Sequence, residues 1–417
     1  MDRFVIDGGR PLRGTLRISG SKNASLPILF ATLLSEEPFI IENVPTRLRD
    51  LRSTFRVLEA IGKRVEVTGS LVRVFADKPL KTRAPYDLVK QMRASVLVAG
   101  PLLARFGWVR VPIPGGCAIG VRPIDIHLQG FADLGARRTL DQGDIILDSP
   151  LRPGRVRLRL PSVGATENLM LAAAALPGAT IIVNAAREPE IEDLARFLCA
   201  MGARVTGAST GTITVRGTRR LRGVRHRVIA YRIETGTFML AAAATQGDLR
   251  LVGAEARHVR ALSVKMRAAG AVVRETAGGL RVAMKGRPRP VSVATAPYPG
   301  FPTDLQAPWL AWMCLARGRS RVRETVFENR FLHAAELGRM GARIAVAGET
   351  AAVEGAAQLG GAPIMASDIR AGAALLIAGL AARGRTELQR VYHIDRGYEK
   401  IESKLRSVGA RIRRVQR

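Results

Sequence analysis

Cysteine, histidine, lysine and aromatic side chains are all scarce in this sequence: three, five and nine residues of the first three types, and 5% aromatics. The cysteines (Cys117, Cys199 and Cys314) are odd in number and far apart. That excludes a disulfide framework and points to a reducing compartment. The histidines are scattered without metal-ligand spacing, so no metal site is expected. Long apolar runs are missing too. The best, Ala371–Ala382, falls well short of the roughly 18–20 residues a membrane span needs. The first residues, MDRFVIDGGRPLRG, carry charges inside their first apolar run and do not read as a signal peptide. A cytoplasmic protein with no membrane partner is the expectation.

What is abundant is arginine. The formal charge is +30, and only nine of the 65 basic residues are lysine. Such an excess points first to a polyanionic partner. The arginines, however, run the whole length without a basic tail and almost without interleaved aromatics, whereas single-strand binders need stacking platforms. A GC-biased coding sequence produces the same excess with no functional meaning and is the favoured reading. Small anionic substrates come next, and nucleic acid is disfavoured. With 47% hydrophobic and 24% charged residues the chain is globular in composition, and 417 residues predict two domains.

One unit recurs six times. An amphipathic run, a glycine, usually an alanine, and then a strand-like run appear as LEAIGKRVEV (Gly62), FADLGARRTL (Gly135) and LCAMGARVTG (Gly202). The pattern continues as MRAAGAVVRE (Gly270), LGRMGARIAV (Gly341) and LRSVGARIRR (Gly409). Successive glycines are 73, 67, 68, 71 and 68 residues apart. Each stands where a helix should stop in a left-handed conformation, and the run after it reads as a strand. A second helix, apolar on nearly all sides, occupies the rest of every unit. These are predicted to start at Lys22, Arg93, Thr166, Thr235, Asp304 and Arg370 and to lie inside, with the amphipathic helices outside. Lys22, Arg93 and Arg370 thus share one slot at inner-helix starts, with Asp304 in the same slot of a fourth. A cation there opposes the helix dipole by about 0.3–1 kcal/mol, which makes sense if an anion binds at those N-termini.

The stretch VPIPGGCAIGVRPIDIHLQG (111–130) places Cys117 after a glycine pair and five residues before Arg122. Gly115, Gly116 and Gly120 suggest a mobile loop, and the positive charge favours a reactive thiol. A surface cysteine without a role is the alternative. Cys199 and Cys314, in apolar helical runs, are expected in the core.

The segments SGSKNASLPILFATLL, PGGCAIGVRPIDIHLQG, NAAREPEIEDLARFL, RIETGTFML, YPGFPTDLQAP, ETVFENRFLHAAELGRMGA and YHIDRGYEKIESKLRSVGARI resemble the enolpyruvyl transferases, in particular the branch serving peptidoglycan synthesis. The resemblance runs from end to end in order. It implies an α/β fold of two pseudo-symmetric inside-out α/β barrel domains, six repeats in all, with the active site in the interdomain cleft. The domain carrying the Cys117 loop would span 21–231, and residues 1–20 with 232–417 would form a discontinuous second domain. The implied reaction moves the enolpyruvyl group of phosphoenolpyruvate to the 3-hydroxyl of UDP-N-acetylglucosamine and releases phosphate, the first committed step of peptidoglycan precursor synthesis. It needs no cofactor and, by default, only a monomer.

The resemblance also implies roles. Cys117 would supply a proton to C3 of phosphoenolpyruvate and can form an adduct with it. Asp304 would contact the sugar hydroxyl and take its proton, although it also reads as an N-cap for LQAPWLAW. Lys22, Arg122 and Arg396 would neutralise phosphoenolpyruvate, with Asn23 beside them, and Arg330 and Arg370 would hold the same anionic end. Arg93, the run Arg122, Pro123, Ile124, Asp125 and Ile126, then Ser162, Val163 and Val326 would contact the uridine diphosphate sugar. Glu188 and Asn329 match site positions of open role. The glycines around Cys117 would make a lid that closes on bound substrate.

Three features depart from the resemblance: the +30 charge, the aromatic and basic segment APWLAWMCLARGRSRVRE, and Tyr231, where aspartate commonly precedes RIETGTF. They keep open a specialised or silent paralogue and a basic RNA-binding or RNA-end-processing protein on a related fold. The shikimate-pathway transferase fits less well, because it lacks the GGC cysteine and the GVRPID contacts.

Overall fold

The computed structural model describes residues 2–90, 92–113 and 124–416. Cys117, Arg122, Pro123 and the glycines at 115, 116 and 120 lie outside the described residues.

The amphipathic segments form six helices: Arg49–Ile61, Asp125–Asp133, Pro189–Met201, Arg260–Ala268, His333–Arg339 and Ile401–Ser407. Two end directly at their signature glycine and the other four within two residues of it, and all six glycines have φ between 90° and 126°. At Gly62 the amide donates back to the carbonyls of Leu58 and Glu59, which satisfies the last turn of the helix. Only glycine adopts that φ without a Cβ clash, and the reversal delivers the chain into the strand Lys63–Thr68.

The apolar segments form the inner helices Lys22–Ala31, Ala99–Phe106, Val163–Ala174, Arg232–Ala244, Gln306–Met313 and Ile369–Ala381. Every residue of Arg232–Ala244 and Gln306–Met313 is buried, as expected of a helix without a polar face. Their starts differ from the sequence expectation where a capping residue intervenes. Ser162 accepts the Ala165 amide, so that helix begins at Val163 and not at Thr166. Arg232 opens the next one, three residues before Thr235. Asp368 accepts the amides of Arg370 and Ala371. Two starts are preceded by 3-10 turns, Arg93–Val98 and Thr303–Leu305.

Two units divide the chain. Residues up to Ser19 and from Ala230 onward form a terminal unit, and those between Gly20 and Ile229 form a central unit. Among the described residues each has three sheets and encloses its own core. The terminal unit recruits the start of the chain because Arg3–Asp7 pairs between Arg385–Gln389 and Arg411–Val415, and Arg13–Arg17 runs parallel to Asp248–Val252. Its three inner helices, Arg232–Ala244, Gln306–Met313 and Ile369–Ala381, pack on one another.

The segment APWLAWMCLARGRSRVRE resolves into two parts. Trp309 and Trp312 are fully buried and meet edge to face at 5.1 Å, with Phe301 5.4 Å from Trp309. The basic part becomes the strand Arg319–Arg323, whose three arginines face outward while Ser320 and Val322 face in. Elsewhere the excess arginine also sits on outer sheet faces. Arg250, Arg281 and Arg274 stand opposite one another on adjacent strands, and like charges in that arrangement are mildly destabilising. Among the described residues no helix is long and apolar enough to cross a membrane.

Of the two cysteines described, Cys314 is buried and burial pushes its thiol up to about 12. Cys199 corrects the sequence expectation, because it is exposed. It lies in the last turn of Pro189–Met201, where its sulfur accepts the Val205 amide at 3.3 Å.

Lys63 is 3% exposed, and its Nζ donates to the Ser35 carbonyl at 2.6 Å. Burial, aided by nearby Arg105, lowers its pKa to about 8. The unfolded chain binds this proton up to about pH 10.4. Stability therefore carries a penalty below pH 8 that is relieved as pH rises toward 10. The melting temperature of the wild type should gain about 2–4 °C on that of Lys63→Met between pH 7.5 and 9.5. A constant gap in thermal melts would show that no charge penalty exists.

Candidate active site

In the terminal unit, Asp304 sits in the 3-10 turn ahead of Gln306–Met313. The capping role read from the sequence is not observed, since no side chain caps either the turn or the helix. The carboxylate is instead held by two cations. Its Oδ1 accepts from Arg370 Nε at 2.8 Å and from Arg330 Nη2 at 3.5 Å. Arg370 is the second residue of Ile369–Ala381, and both arginines are buried. Burial by itself would raise the Asp304 carboxyl. Arg370, then Arg330 and Arg232, outweigh it and hold the group well below the ordinary carboxylate range.

Arg370 Nη2 also donates to the Tyr231 hydroxyl at 3.1 Å. Tyr398, fully buried, shares a 2.8 Å hydrogen bond with Thr237, and burial pushes its phenol up to about 12. Arg370 Nη1 and Arg330 Nε are buried without a hydrogen-bond partner among the described residues. Unused donors on buried cations are costly unless a ligand satisfies them. Arg396 ends the turn Val391–Arg396, half-buried. The next residue, Gly397, lies against the helix start, and a Cβ there would come within 2.6 Å of Ile369.

Glu324 was not singled out from the sequence, although ETVFENRF begins with it. It is 1% exposed. Its Oε1 accepts from Thr295 Oγ1 and the Val326 amide, both at 2.9 Å, and Oε2 accepts from Thr303 Oγ1 at 2.9 Å. This carboxylate ties the Asp304 turn to the segment bearing Val326, whose side chain is exposed. A lone glutamate before a threonine carries no sequence mark of such a role.

In the central unit, Ser21 caps Lys22–Ala31, and Lys22 is buried with its Nζ 3.3 Å from Asp50 Oδ2. Asn23 beside it is half-buried. Arg93 opens its 3-10 turn, and its charge reaches His127. Burial first, then Arg93, lowers His127 to about 4, so the ring is neutral at pH 7. Its Nδ1 lies 3.1 Å from the Asn168 amide. Ile124 precedes Asp125–Asp133, and Asp125 accepts from Arg159 at 2.6 Å. Asp125 and Ile126 line a cavity of about 460 Å³ together with Leu158, Arg138, Arg157 and Arg159. Ser162 and Val163 form a capped helix start. Near Glu188, the carboxyl of buried Glu167 is pushed well up by burial and then by Glu190 and Glu188.

The geometry thus joins Asp304, Arg330 and Arg370 in one cluster and places Asp125 and Ile126 at an arginine-lined cavity. Comparison with known proteins decides the family. The sequence model of EPSP synthase (3-phosphoshikimate 1-carboxyvinyltransferase) matches residues 6–405. The chain belongs to that enolpyruvyl transferase family. Over the full length of both chains it is 53% identical to the UDP-N-acetylglucosamine 1-carboxyvinyltransferase of Oleidesulfovibrio alaskensis. It is 54% identical to the enzyme of the same name from Anaeromyxobacter sp., over 99% of each. Among solved structures, the enolpyruvyl transferase NikO from Streptomyces tendae superposes with a TM-score of 0.88 at 26% identity, covering 99% of each chain. EPSP synthase from Acinetobacter baumannii shares the fold over the whole of both chains, with a TM-score of 0.75 at 18% identity.

Proposed function

We infer that this family member transfers the enolpyruvyl group of phosphoenolpyruvate to the 3-hydroxyl of UDP-N-acetylglucosamine and releases phosphate. Identity above 50% along the entire chain to enzymes of that name supports the reading. The structural observation that carries it is the Asp304–Arg330–Arg370 cluster, in which one carboxylate faces two buried guanidiniums with donors to spare. An anionic substrate supplies the missing acceptors and charge.

In this reading Arg330, Arg370 and Arg396 hold the phosphate and carboxylate of phosphoenolpyruvate, and Lys22, Asn23 and Arg122 serve the same donor. Asp304, ionised throughout the neutral range, takes the proton of the sugar hydroxyl. Cys117 delivers a proton to C3. The sugar oxygen bonds to C2 in the addition, and elimination then expels phosphate from C2 and a proton from C3. Fixed cations stabilise the charge that grows on the departing phosphate. Arg93, Arg122, Pro123, Ile124, Asp125, Ile126, Ser162, Val163 and Val326 receive the nucleotide sugar. The cavity beside Asp125, apolar at Ile126 and Leu158 and rimmed by arginines, suits a nucleotide.

The test is phosphate release from phosphoenolpyruvate by wild-type protein with and without UDP-N-acetylglucosamine. Release that requires the sugar nucleotide is the expected result. Release that ignores it, or none from folded protein, would overturn the assignment.

A further inference from the structure

Four inner helices have comparable capping positions, and one of them is used differently. Ser21, Ser162 and Asp368 each accept an amide of their own helix. Tyr231, in the same position before Arg232–Ala244, makes no such bond. Its side chain is 1% exposed, and its hydroxyl meets Arg370 Nη2 of a neighbouring inner helix instead. Arg370 is therefore held at two nitrogens, by Asp304 at Nε and by Tyr231 at Nη2, and the neutral Tyr398 phenol also interacts with its side chain, while Nη1 is buried with no hydrogen-bond partner in contact geometry among the described residues. The anchor that Tyr231 provides is neutral. Asp304 is the carboxylate bonded to Arg330 and Arg370, so these three residues together carry a net positive charge.

We propose that Tyr231 is a positioning residue that sets anion affinity: its hydroxyl fixes the Arg370 guanidinium without neutralising it, leaving the charge of the Arg330–Arg370 pair for the bound substrate. The proposal rests on reading that pair as the phosphoenolpyruvate subsite. A carboxylate in the same place would compete with the substrate for Arg370, whereas a hydroxyl orients the guanidinium and leaves its charge unspent. Loss of the hydroxyl alone would free the guanidinium to tilt away from Asp304, which is a fault of geometry and not of charge.

The experiment titrates inorganic phosphate calorimetrically into protein saturated with UDP-N-acetylglucosamine, and measures kcat and KM for phosphoenolpyruvate. Wild type is compared with Tyr231→Phe, Tyr231→Asn, Tyr231→Asp and Arg370→Met, with thermal melts to verify folding. Tyr231→Asp should weaken phosphate binding and raise the KM by about tenfold or more. The neutral variants should keep phosphate affinity within about threefold, and Tyr231→Phe should lose about three- to tenfold in kcat with little change in KM. A purely structural role would move all three variants alike. Equal weakening in all three, or wild-type affinity in a folded Tyr231→Asp, overturns the proposal. Should the aspartate variant not fold, an unchanged kcat in Tyr231→Phe does so. A wild type that binds no phosphate, or an Arg370→Met variant that binds it normally, overturns the anion-subsite reading instead.

Discussion

Asp304→Asn should lower turnover by about 10³-fold, within the range that removal of a positioned general base produces, while inorganic phosphate binds more tightly. The two effects have opposite signs because Asp304 has two opposing influences. In the proposed reaction it takes the proton of the sugar hydroxyl and is needed for chemistry. As the counter-charge of Arg330 and Arg370, it would compete with the anion proposed to bind those donors. In the resting site those arginines hold the carboxyl well below its usual range, so it is a weak base. In the proposed reaction, a bound phosphate that draws the guanidiniums toward itself would loosen that hold and make Asp304 a better base. Asparagine removes the base and leaves two buried cations facing each other. The uncompensated charges should also cost about 3 kcal/mol of stability, the low end for a broken buried pair because the Asp304 side chain is 23% exposed. The pH dependence has a defined sign. A carboxyl whose folded pKa is depressed contributes stability that is complete above its unfolded value near 3.9 and is lost as pH falls further. The gap in melting temperature between wild type and Asp304→Asn should therefore be constant from pH 5 to 8 and close below pH 4. Steady-state kinetics, phosphate titration and melts at three pH values check all of this. A variant that binds phosphate more weakly than wild type would contradict it.

The second large effect is expected at Cys117. Cys117→Ala should reduce sugar-dependent phosphate release by about 10²-fold or more, the share of a general acid, with UDP-N-acetylglucosamine binding retained. A thiol with a pKa near 8.5 is mostly protonated at neutral pH and able to donate. The serine variant should fail nearly as badly, because an aliphatic hydroxyl is a far weaker acid. Cys314 cannot substitute, being buried with its thiol pushed up to about 12. Alkylation gives an independent readout: if the Gly115–Gly116–Cys117 loop closes on bound nucleotide, UDP-N-acetylglucosamine should change the rate at Cys117. Because Cys199 is exposed and competes for reagent, the comparison belongs in a Cys199→Ser background. Equal alkylation rates with and without the nucleotide would remove support for the lid, and near-normal turnover in Cys117→Ala would remove the proton-donor role.

Cys199 shows where reading by composition stops. ARFLCAMGA is apolar on both sides of the cysteine, so composition placed it inside, yet the last turn of Pro189–Met201 leaves Cys199 and Ala200 exposed. Glu192 and Arg196 lie on that same face at helical spacing, so the signal was in the period of the helix and not in the immediate neighbours of Cys199.

By itself the sequence determined the sixfold repeat, the helix ends at or beside Gly62, Gly135, Gly202, Gly270, Gly341 and Gly409, the buried inner helices, and through its long motifs the family. These are local signals: a helical period and a glycine at a left-handed turn act within a few residues, and every repeat writes them again. Only the tertiary structure decided which charges meet. Asp304 finds Arg370 across 66 residues and Tyr231 finds Arg370 across 139, while Glu324 ties Thr303 to Val326. With 65 basic and 35 acidic residues in the chain, nothing in their order selects a partner. The physical reason is that Coulomb and hydrogen-bond energies depend on separation and burial in space, and these exist only once the inner helices have packed.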